Sequence, residues 1–231
     1  MRVRQLFDTE SSTYTYLLAD QGEAVLIDPV LGQIEQYLRL IRELNLTLRY
    51  AIDTHTHADH ITALGELRTQ TGCQTGFGVQ SGSTCASFTF RDNERIALGR
   101  YELICWYTPG HTDDSYSFYL PPSPHDAGWL FTGDTLLIRG TGRTDFQNGN
   151  ALAQWASLQR LLQLPDDTLV GVGHDYKGWS LTTLGEERAH NPRLQFTDAQ
   201  SYADFMQTLK LPHPRLMDIA VPSNRACGNP T

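Results

Sequence analysis

The chain has 231 residues, 40% of them hydrophobic and 19% charged, a composition typical of a globular protein that is long enough to bury a sizeable core. Its formal net charge of −8 repels phosphate backbones, so we expect no nucleic-acid partner. No stretch approaches the ~20 apolar residues that cross a bilayer, so we expect no membrane span.

The first third of the chain contains strand and helix patterns in alternation. Short runs rich in β-branched, aromatic and aliphatic residues predict strands over residues 3–7, 14–19, 24–28 and 48–53. Apolar residues at helical spacing predict helices over residues 33–44 and 61–71. The second helix is expected to end at Gly72, because glycine is the residue most common just after a helix.

The remainder of the chain is richer in strands. We predict strands over residues 74–79, 87–90, 95–98, 101–107, 115–120, 129–132 and 169–173. Helices are predicted over 151–164 and 199–209, and a surface turn over the proline-rich residues 121–124. This order predicts an α/β sandwich of two facing sheets with helices outside. We expect one domain over residues 1–231, with a short helical extension from about residue 184.

The four cysteines do not form a recognisable metal or redox motif. Cys73, Cys85, Cys105 and Cys227 are far apart in the sequence, with no Cys-x-x-Cys pair. Cys73 and Cys105 lie within or beside apolar segments, where a cysteine is usually a small buried hydrophobe. The N-terminus has two arginines but no apolar run behind them, so we expect no signal peptide. These features favour a reduced, cytoplasmic compartment.

The strongest local signal is a His-x-His-x-Asp-His motif at residues 55–60. It places His55, His57, Asp59 and His60 directly after a predicted strand, where a rigid scaffold can present side chains to a site. A polar loop with a helix-capping aspartate is the alternative, but three histidines in six residues are hard to explain that way. Imidazole and carboxylate together suit zinc or iron, and no cysteine lies nearby to indicate a structural zinc site.

Three further fragments follow the same order of strand and then ligand. His111 follows an apolar strand and a Pro-Gly turn, Asp134 follows Thr-Gly, and His174 follows Val-Gly. Each fragment alone is a weak signal, because such turns are common. Together with the histidine motif, they predict a metal site assembled from several strand ends.

These motifs resemble those of the metallo-β-lactamase superfamily over nearly the whole chain. That resemblance implies an αββα sandwich and a site for one or two metals. His55, His57 and His111 would bind the first metal, and Asp59, His60 and His174 the second, with Asp134 between them. Three stretches are more specifically similar to persulfide dioxygenases: residues 137–147 (Leu-Ile-Arg-Gly-Thr-Gly-Arg-Thr-Asp-Phe-Gln), 174–176 (His-Asp-Tyr) and 220–228 with its Asn224 and Cys-Gly.

The finer resemblance implies one Fe(II) per chain, held by His55, His111 and Asp134, and oxidation of glutathione persulfide by O2 to sulfite and glutathione. Such a ligand set leaves open metal positions for a sulfur donor and for oxygen. The other four residues would then orient the ligands; they are His57, Asp59, His60 and His174. Arg143 and Tyr176 are expected to bind glutathione and to act in catalysis, although an ion pair between Arg143 and Asp145 is nearly as good an interpretation of that arginine.

Some questions stay open at this level. The chain departs from the family pattern at Asp113-Asp114, where many members have Pro-Gly, and at Thr141, where several have cysteine. The ligands alone do not separate mononuclear iron from the dinuclear site of a glyoxalase II-like thioester hydrolase, whose C-terminal domain is usually larger than the tail here. A catalytically silent scaffold would be expected to lack a ligand, and a nuclease would be expected to have a basic surface. A homodimer is left open.

Overall fold

The computed structural model describes residues 1–124, 126–211 and 216–228. Each of its two sheets has six strands. The first sheet runs β1-β2-β3-β4-β5-β6, with β1 Arg2–Asp8, β2 Thr13–Asp20, β3 Glu23–Ile27, β4 Thr47–Ile52, β5 Gln74–Gly78 and β6 Phe88–Phe90. The second runs β12-β11-β10-β9-β8-β7, with β7 Arg95–Leu98, β8 Tyr101–Tyr107, β9 Tyr116–Leu120, β10 Trp129–Phe131, β11 Leu169–Gly171 and β12 Thr182–Thr183.

Both sheets are mixed, as expected for this architecture. In the first sheet β1, β2 and β3 pair antiparallel, whereas β3 to β6 pair parallel. In the second sheet β10 and β11 form the single parallel pair, and the other neighbours are antiparallel. Parallel neighbours matter for the site, because their carboxyl ends meet at the same edge of a sheet.

The alternation of side chains along β2 explains why the first sheet is buried on both faces. Tyr16 and Leu18 point into the core between the sheets, together with Phe118 and Val170 of the second sheet. The intervening Leu17 faces a second core beneath two helices, residues 34–43 and 64–71. Since successive side chains of a strand point to opposite faces, a strand in such a layer is buried along its whole length, as β2 is.

Six α-helices flank the sheets in the described part of the chain: α1 Ile34–Glu43, α2 Leu64–Thr71, α3 Ala151–Leu161, α4 Leu184–His190, α5 Ala199–Thr208 and α6 Met217–Arg225. Helices α1 and α2 cover the first sheet, while Leu158 of α3 and Tyr202 of α5 join the core between the sheets. None of the helices described has the length and apolar content that crossing a bilayer requires. The predicted layers, two facing mixed sheets with outer helices, are therefore confirmed.

The helix predicted over residues 61–71 is wrong at its start. Residues 61–63 pair instead with the segment after β3, since Leu31 N donates to Ile61 O and Ala63 N donates to Pro29 O. Backbone groups committed to that pairing cannot join a helix, and α2 begins only at Leu64. Helix α2 ends as predicted, with Gly72 in the left-handed conformation. Strand β12 was not predicted, and α4 and α6 lie in the helical extension expected from about residue 184, for which no bounds of these two helices were predicted.

The expectation of reduced cysteines is wrong for one pair. Cys85 and Cys227 form a disulfide, with 142 residues of sequence separation and their Cα atoms 5.9 Å apart. Their separation in sequence gave no indication of this bond. The two cysteines meet because α6 returns the C-terminal segment to the loop before β6. Cys73 and Cys105 are buried and free, as expected.

Candidate metal centre

The predicted ligands lie together because each follows the end of a central strand. His55 lies three residues beyond β4, and His111 follows β8 across a Pro-Gly turn. Asp134 and His174 each lie three residues beyond their strands, β10 and β11, which pair in parallel with Phe131 opposite Gly171. The first sheet therefore supplies the histidine motif, and the second sheet supplies the other ligands.

His55, His111 and Asp134 bring their donor atoms within 4.8 Å of one another. His111 Nδ1 donates to the carbonyl of Arg143 at 2.7 Å, which leaves the Nε2 lone pair available 3.6 Å from Asp134 Oδ2. Thr54 Oγ1 donates to Asp28, so the same oxygen accepts from His55 Nδ1 at 2.9 Å. Both histidines thus present Nε2, and hydrogen bonds of this kind set the tautomer of a metal ligand.

The charges around this trio suit a cation. Burial, and then the neighbouring His57 and His111, lower the pKa of His55 well below its usual value, which keeps its imidazole neutral and able to coordinate. For Asp134, burial opposes ionisation, but His174, His111 and His55 outweigh it and lower the carboxyl pKa. Two imidazoles and one carboxylate with donor atoms turned toward one another fit a divalent metal.

His174 does not offer a free nitrogen. Its Nδ1 is 2.7 Å from Asp134 Oδ1, and its Nε2 is 2.8 Å from Asp59 Oδ2. Burial disfavours protonation of this ring, but the two carboxylates outweigh burial and raise the pKa of His174 well above its usual value. The His174 ring thus joins Asp59 to Asp134 and fixes the face of Asp134 that points toward His111.

A second cluster lies within the histidine motif. Donor atoms of His57, Asp59 and His60 come within 4.8 Å of one another. His57 Nε2 contacts Asp28 Oδ1 at 3.1 Å and His60 Nδ1 contacts Asp59 Oδ2 at 2.7 Å. Their remaining nitrogens, His57 Nδ1 and His60 Nε2, are buried without a hydrogen-bond partner. Burial opposes the charge on His57, but the Asp28 carboxylate raises its pKa to about 9.

Comparison with known proteins identifies the family. The sequence profile of the Metallo-beta-lactamase superfamily matches residues 8–76 and 106–174. The human protein named persulfide dioxygenase ETHE1, mitochondrial, is 44% identical over 230 residues, which is 98% of this chain and 88% of the relative. The chain belongs to the persulfide dioxygenase family of the metallo-β-lactamase superfamily.

Structures and more distant relatives agree with this assignment. The crystal structure of ETHE1 from Myxococcus xanthus superimposes with a TM-score of 0.94 at 50% sequence identity, covering 99% of this chain and all of the other. A hydroxyacylglutathione hydrolase from Tolumonas auensis is 33% identical over 176 residues, 74% of this chain and 65% of the relative. The resemblance to persulfide dioxygenases is thus stronger and more complete than that to this thioester hydrolase.

Two residues that contact the histidine motif or His174, Asp28 and Thr13, were not predicted from the sequence. Asp28 accepts hydrogen bonds from Thr54 N, Thr54 Oγ1 and His57. Thr13 Oγ1 lies 3.1 Å from Asp59 Oδ2 and 3.1 Å from His174 Nε2. An aspartate ahead of a proline and a threonine within a strand are common features, so no local signal distinguished them. Their importance depends on contacts across more than 25 residues of sequence.

The departures from the family pattern have structural roles. Asp114 is buried and accepts from Thr56 N, Thr56 Oγ1 and Thr112 Oγ1, which ties the histidine motif to the loop that carries His111. Asp113 accepts from Asn148 at the surface. Thr141 Oγ1 lies 3.2 Å from the hydroxyl of Tyr202 on α5. Only Asp114 therefore brings a buried acid close to the centre.

The two predicted glutathione contacts lie in different surroundings. Arg143 makes a two-pronged ion pair with Asp145, at 2.6 and 2.8 Å, and its guanidinium lies 4.3 Å from the ring centroid of Phe146. Its backbone carbonyl holds His111, as described above. Tyr176 is 72% exposed, and its ring stacks on that of His174 at 6.0 Å. The ion pair weighed as an alternative for Arg143 is therefore present.

Proposed function

We propose that this protein oxidises glutathione persulfide with O2 and water to glutathione and sulfite. The observation that carries the proposal is the 44% identity to persulfide dioxygenase ETHE1 over nearly the whole chain, combined with a complete trio of metal-ligating side chains. The reaction balances, because GSSH, O2 and H2O together give GSH, sulfite and two protons. The outer sulfur is oxidised, O2 is reduced, and the sulfur–sulfur bond breaks.

We propose one Fe(II) per chain as the cofactor, held by His55, His111 and Asp134. Support comes from the Nε2 atoms of both histidines and from Asp134 Oδ2, which lie within 4.8 Å of one another and so surround one point. When bound, ferrous iron supplies adjacent positions for a soft sulfur donor and for oxygen, together with the electrons that activate oxygen. Arg143 O and Thr54 Oγ1 orient the two imidazoles toward that point.

The remaining histidine-motif residues are proposed to orient the ligands. His174 bonds the Asp134 oxygen that faces away from His111, so it restricts rotation of the carboxylate. Asp59 holds the opposite nitrogen of His174, and His57 is anchored by Asp28. Contacts of this type behind a metal ligand commonly contribute 10–100-fold in metal affinity or activity.

Arg143 and Tyr176 are proposed to bind glutathione and to align its sulfur. A guanidinium can grip a carboxylate through two parallel hydrogen bonds, and the exposed phenol of Tyr176 can donate to a peptide carbonyl. Arg143→Ala is expected to raise KM more than it lowers kcat, because it removes binding that ground and transition states share. Asp145→Asn is the matched control, since it breaks the ion pair and keeps the guanidinium. An unchanged KM in Arg143→Ala would place glutathione elsewhere.

One observation favours a second candidate, a glyoxalase II-like hydrolase of glutathione thioesters with two metals. His57 Nδ1 and His60 Nε2 are unpartnered and lie near Asp59, as donors for a second ion would. Two hydrogen bonds count against this candidate. One joins Asp59 to His174 Nε2, and the other joins His174 Nδ1 to Asp134. A second ion would have to break those hydrogen bonds.

An oxygen electrode separates the two candidates. Iron-loaded protein should consume O2 only when glutathione persulfide is supplied, and should release sulfite in equal amount. A glutathione thioester should be hydrolysed slowly, if at all, by the same preparation. Metal analysis of anaerobically purified protein should give about one iron per chain. Brisk thioester cleavage without persulfide-dependent oxygen uptake, or two zinc ions per chain, would replace the dioxygenase with the hydrolase.

We further propose that residues 1–231 form one domain whose helical extension begins at about residue 184. Tyr202 and Met206 of α5 belong to the core between the sheets, which supports a shared core. Limited proteolysis should therefore release no stable fragment near residue 184. A homodimer is also proposed, and sedimentation equilibrium tests it.

The cytoplasm is proposed as the compartment, because the expected product, reduced glutathione, is maintained there by the cellular thiol pool. The disulfide between Cys85 and Cys227 is the feature that disagrees, since such bonds are rare in reducing compartments. Cell fractionation combined with thiol labelling would decide both points. Recovery of the protein outside the cytoplasm would contradict the proposal.

A further inference from the structure

Asn224 lies in helix α6 and reaches into the loop that carries the histidine motif. Its Nδ2 donates to the carbonyls of His57 at 2.9 Å and His60 at 2.8 Å, and its Oδ1 accepts from Thr62 N at 2.9 Å. The side chain is completely buried. One side-chain amide therefore satisfies three backbone hydrogen-bonding groups in loop residues 57–62. These three groups have no partner in a helix or strand.

The loop that Asn224 holds is connected to the proposed iron ligands by a short series of contacts. Between the two carbonyls lies Asp59, whose carboxylate bonds His174 Nε2, and His174 Nδ1 bonds Asp134 Oδ1. The position of the Asp59 carboxylate depends on the backbone path from His57 to His60. A displaced loop would move the Asp59 carboxylate away from His174, and Asp134 could then rotate.

Helix α6 itself is held at this place by contacts that do not involve Asn224. Cys227 is cross-linked to Cys85, and its carbonyl accepts from Gly65 N at 2.9 Å. Gly228 packs so closely against Thr62 that a Cβ there would lie 2.2 Å from the Thr62 carbonyl oxygen. The asparagine can therefore be replaced while the helix remains docked.

We propose that Asn224 is a positioning residue of the metal centre, which acts by fixing the backbone of residues 57–62 and, through Asp59 and His174, the Asp134 carboxylate. This proposal rests on the metal site described under the proposed function. The C-terminal segment would then contribute to metal binding and turnover as well as to packing.

The test compares Asn224→Ala and Asn224→Asp with Ala220→Gly. The aspartate variant keeps the shape of the side chain and its Oδ1 acceptor. It replaces the NH2 group, which donates to two carbonyls, with an oxygen that cannot donate to them. Ala220 is fully buried one turn earlier in α6, and its replacement by glycine weakens the helix but removes no hydrogen bond to residues 57–62, since an alanine side chain has no donor or acceptor. Each full-length variant is titrated with Co(II) in competition with a chelator, and amide hydrogen exchange is measured in the metal-free protein.

Both Asn224 variants should bind Co(II) 10–100-fold more weakly than the parent, and the Thr62 amide should lose its protection from exchange. Ala220→Gly should lower the melting temperature by a similar amount, yet keep metal affinity within twofold. Equal metal affinity in the parent and both Asn224 variants would overturn the proposal. If the parent protein binds no metal, the proposed function fails, while loss of exchange protection at Thr62 still tests the anchoring by Asn224 separately.

Discussion

Gly142 lies where the loop after β10 passes behind two of the proposed metal ligands. A Cβ at this position would lie 2.3 Å from the backbone oxygen of Asp134 and 2.8 Å from Nδ1 of His111. Real Cβ atoms essentially never approach another heavy atom within 3.0 Å. We therefore predict that Gly142→Ala displaces the ligands themselves, although the added methyl never touches the metal.

The size of the effect follows from the overlap. Relieving the contact with Asp134 requires a movement from 2.3 to at least 3.0 Å, a shift that exceeds the ~0.5 Å within which a functional constellation must be held. The hydrogen bond from Gly142 N to Asp134 O at 2.8 Å resists that movement. We expect the variant to lose about 1–3 kcal/mol of stability, as in overpacked cores, and about 10–100-fold in metal affinity.

Gly140→Ala is the matched control on the same loop. A Cβ at Gly140 would meet only the Cβ of Leu137, at 4.0 Å, which is ordinary van der Waals contact. Metal content after exhaustive dialysis against a chelator, together with thermal melting, measures both variants. The reasoning is refuted if Gly142→Ala retains metal as the parent does, or if both alanine variants lose it equally.

His111→Ala should abolish metal retention in elemental analysis, whereas His60→Ala should weaken binding by about 10–100-fold; the reverse order would overturn the ligand assignment. Cys85→Ser should lower the free energy of unfolding in a denaturant titration by about 2–5 kcal/mol, because the cross-link spans 142 residues; an unchanged midpoint would mean the bond does not form. Hydrogen bonds from Arg100 lower the pKa of Asp20 from 3.8 to about 2, so Asp20→Asn should destabilise the protein at neutral pH. That difference should shrink as the pH falls from about 4 to about 2, because the folded state then loses its preference for the ionised form; melting curves that stay equally displaced at pH 2 would contradict this.

Much of the fold could be predicted because its central strands carry strong local signals. Strands β7 and β8 begin and end where the sequence pattern predicted, since each alternates or runs apolar between clear turn residues. Helix α6 was missed, because Pro222 lies inside it and its apolar residues do not form a continuous stripe. The start of α2 was misplaced because pairing with the segment after β3 overrides a helical pattern.

The proposed metal trio could be selected from the sequence for a different reason. Its ligands follow strand ends in a fixed order, so spacing and chemistry could be read along the chain. The residues that anchor the loop of the histidine motif could not be given that role in this way. Asp114 contacts a residue 58 positions away in sequence, and Asn224 contacts residues more than 160 positions away. A single aspartate or asparagine forms no sequence pattern that predicts its partner. The Cys85–Cys227 bond was missed on the same grounds.

The proposed ligands come from both layers of the sandwich, His55 from the first sheet and His111 and Asp134 from the second. A bound ion would therefore link the two layers. It would stabilise the folded state by an amount that rises with the concentration of free metal. Binding to the folded state alone contributes about 2.7 kcal/mol when the metal is present at a hundred times its dissociation constant. Melting temperature would then track metal supply, and metal-starved cells would hold a form of this protein that unfolds and is degraded sooner.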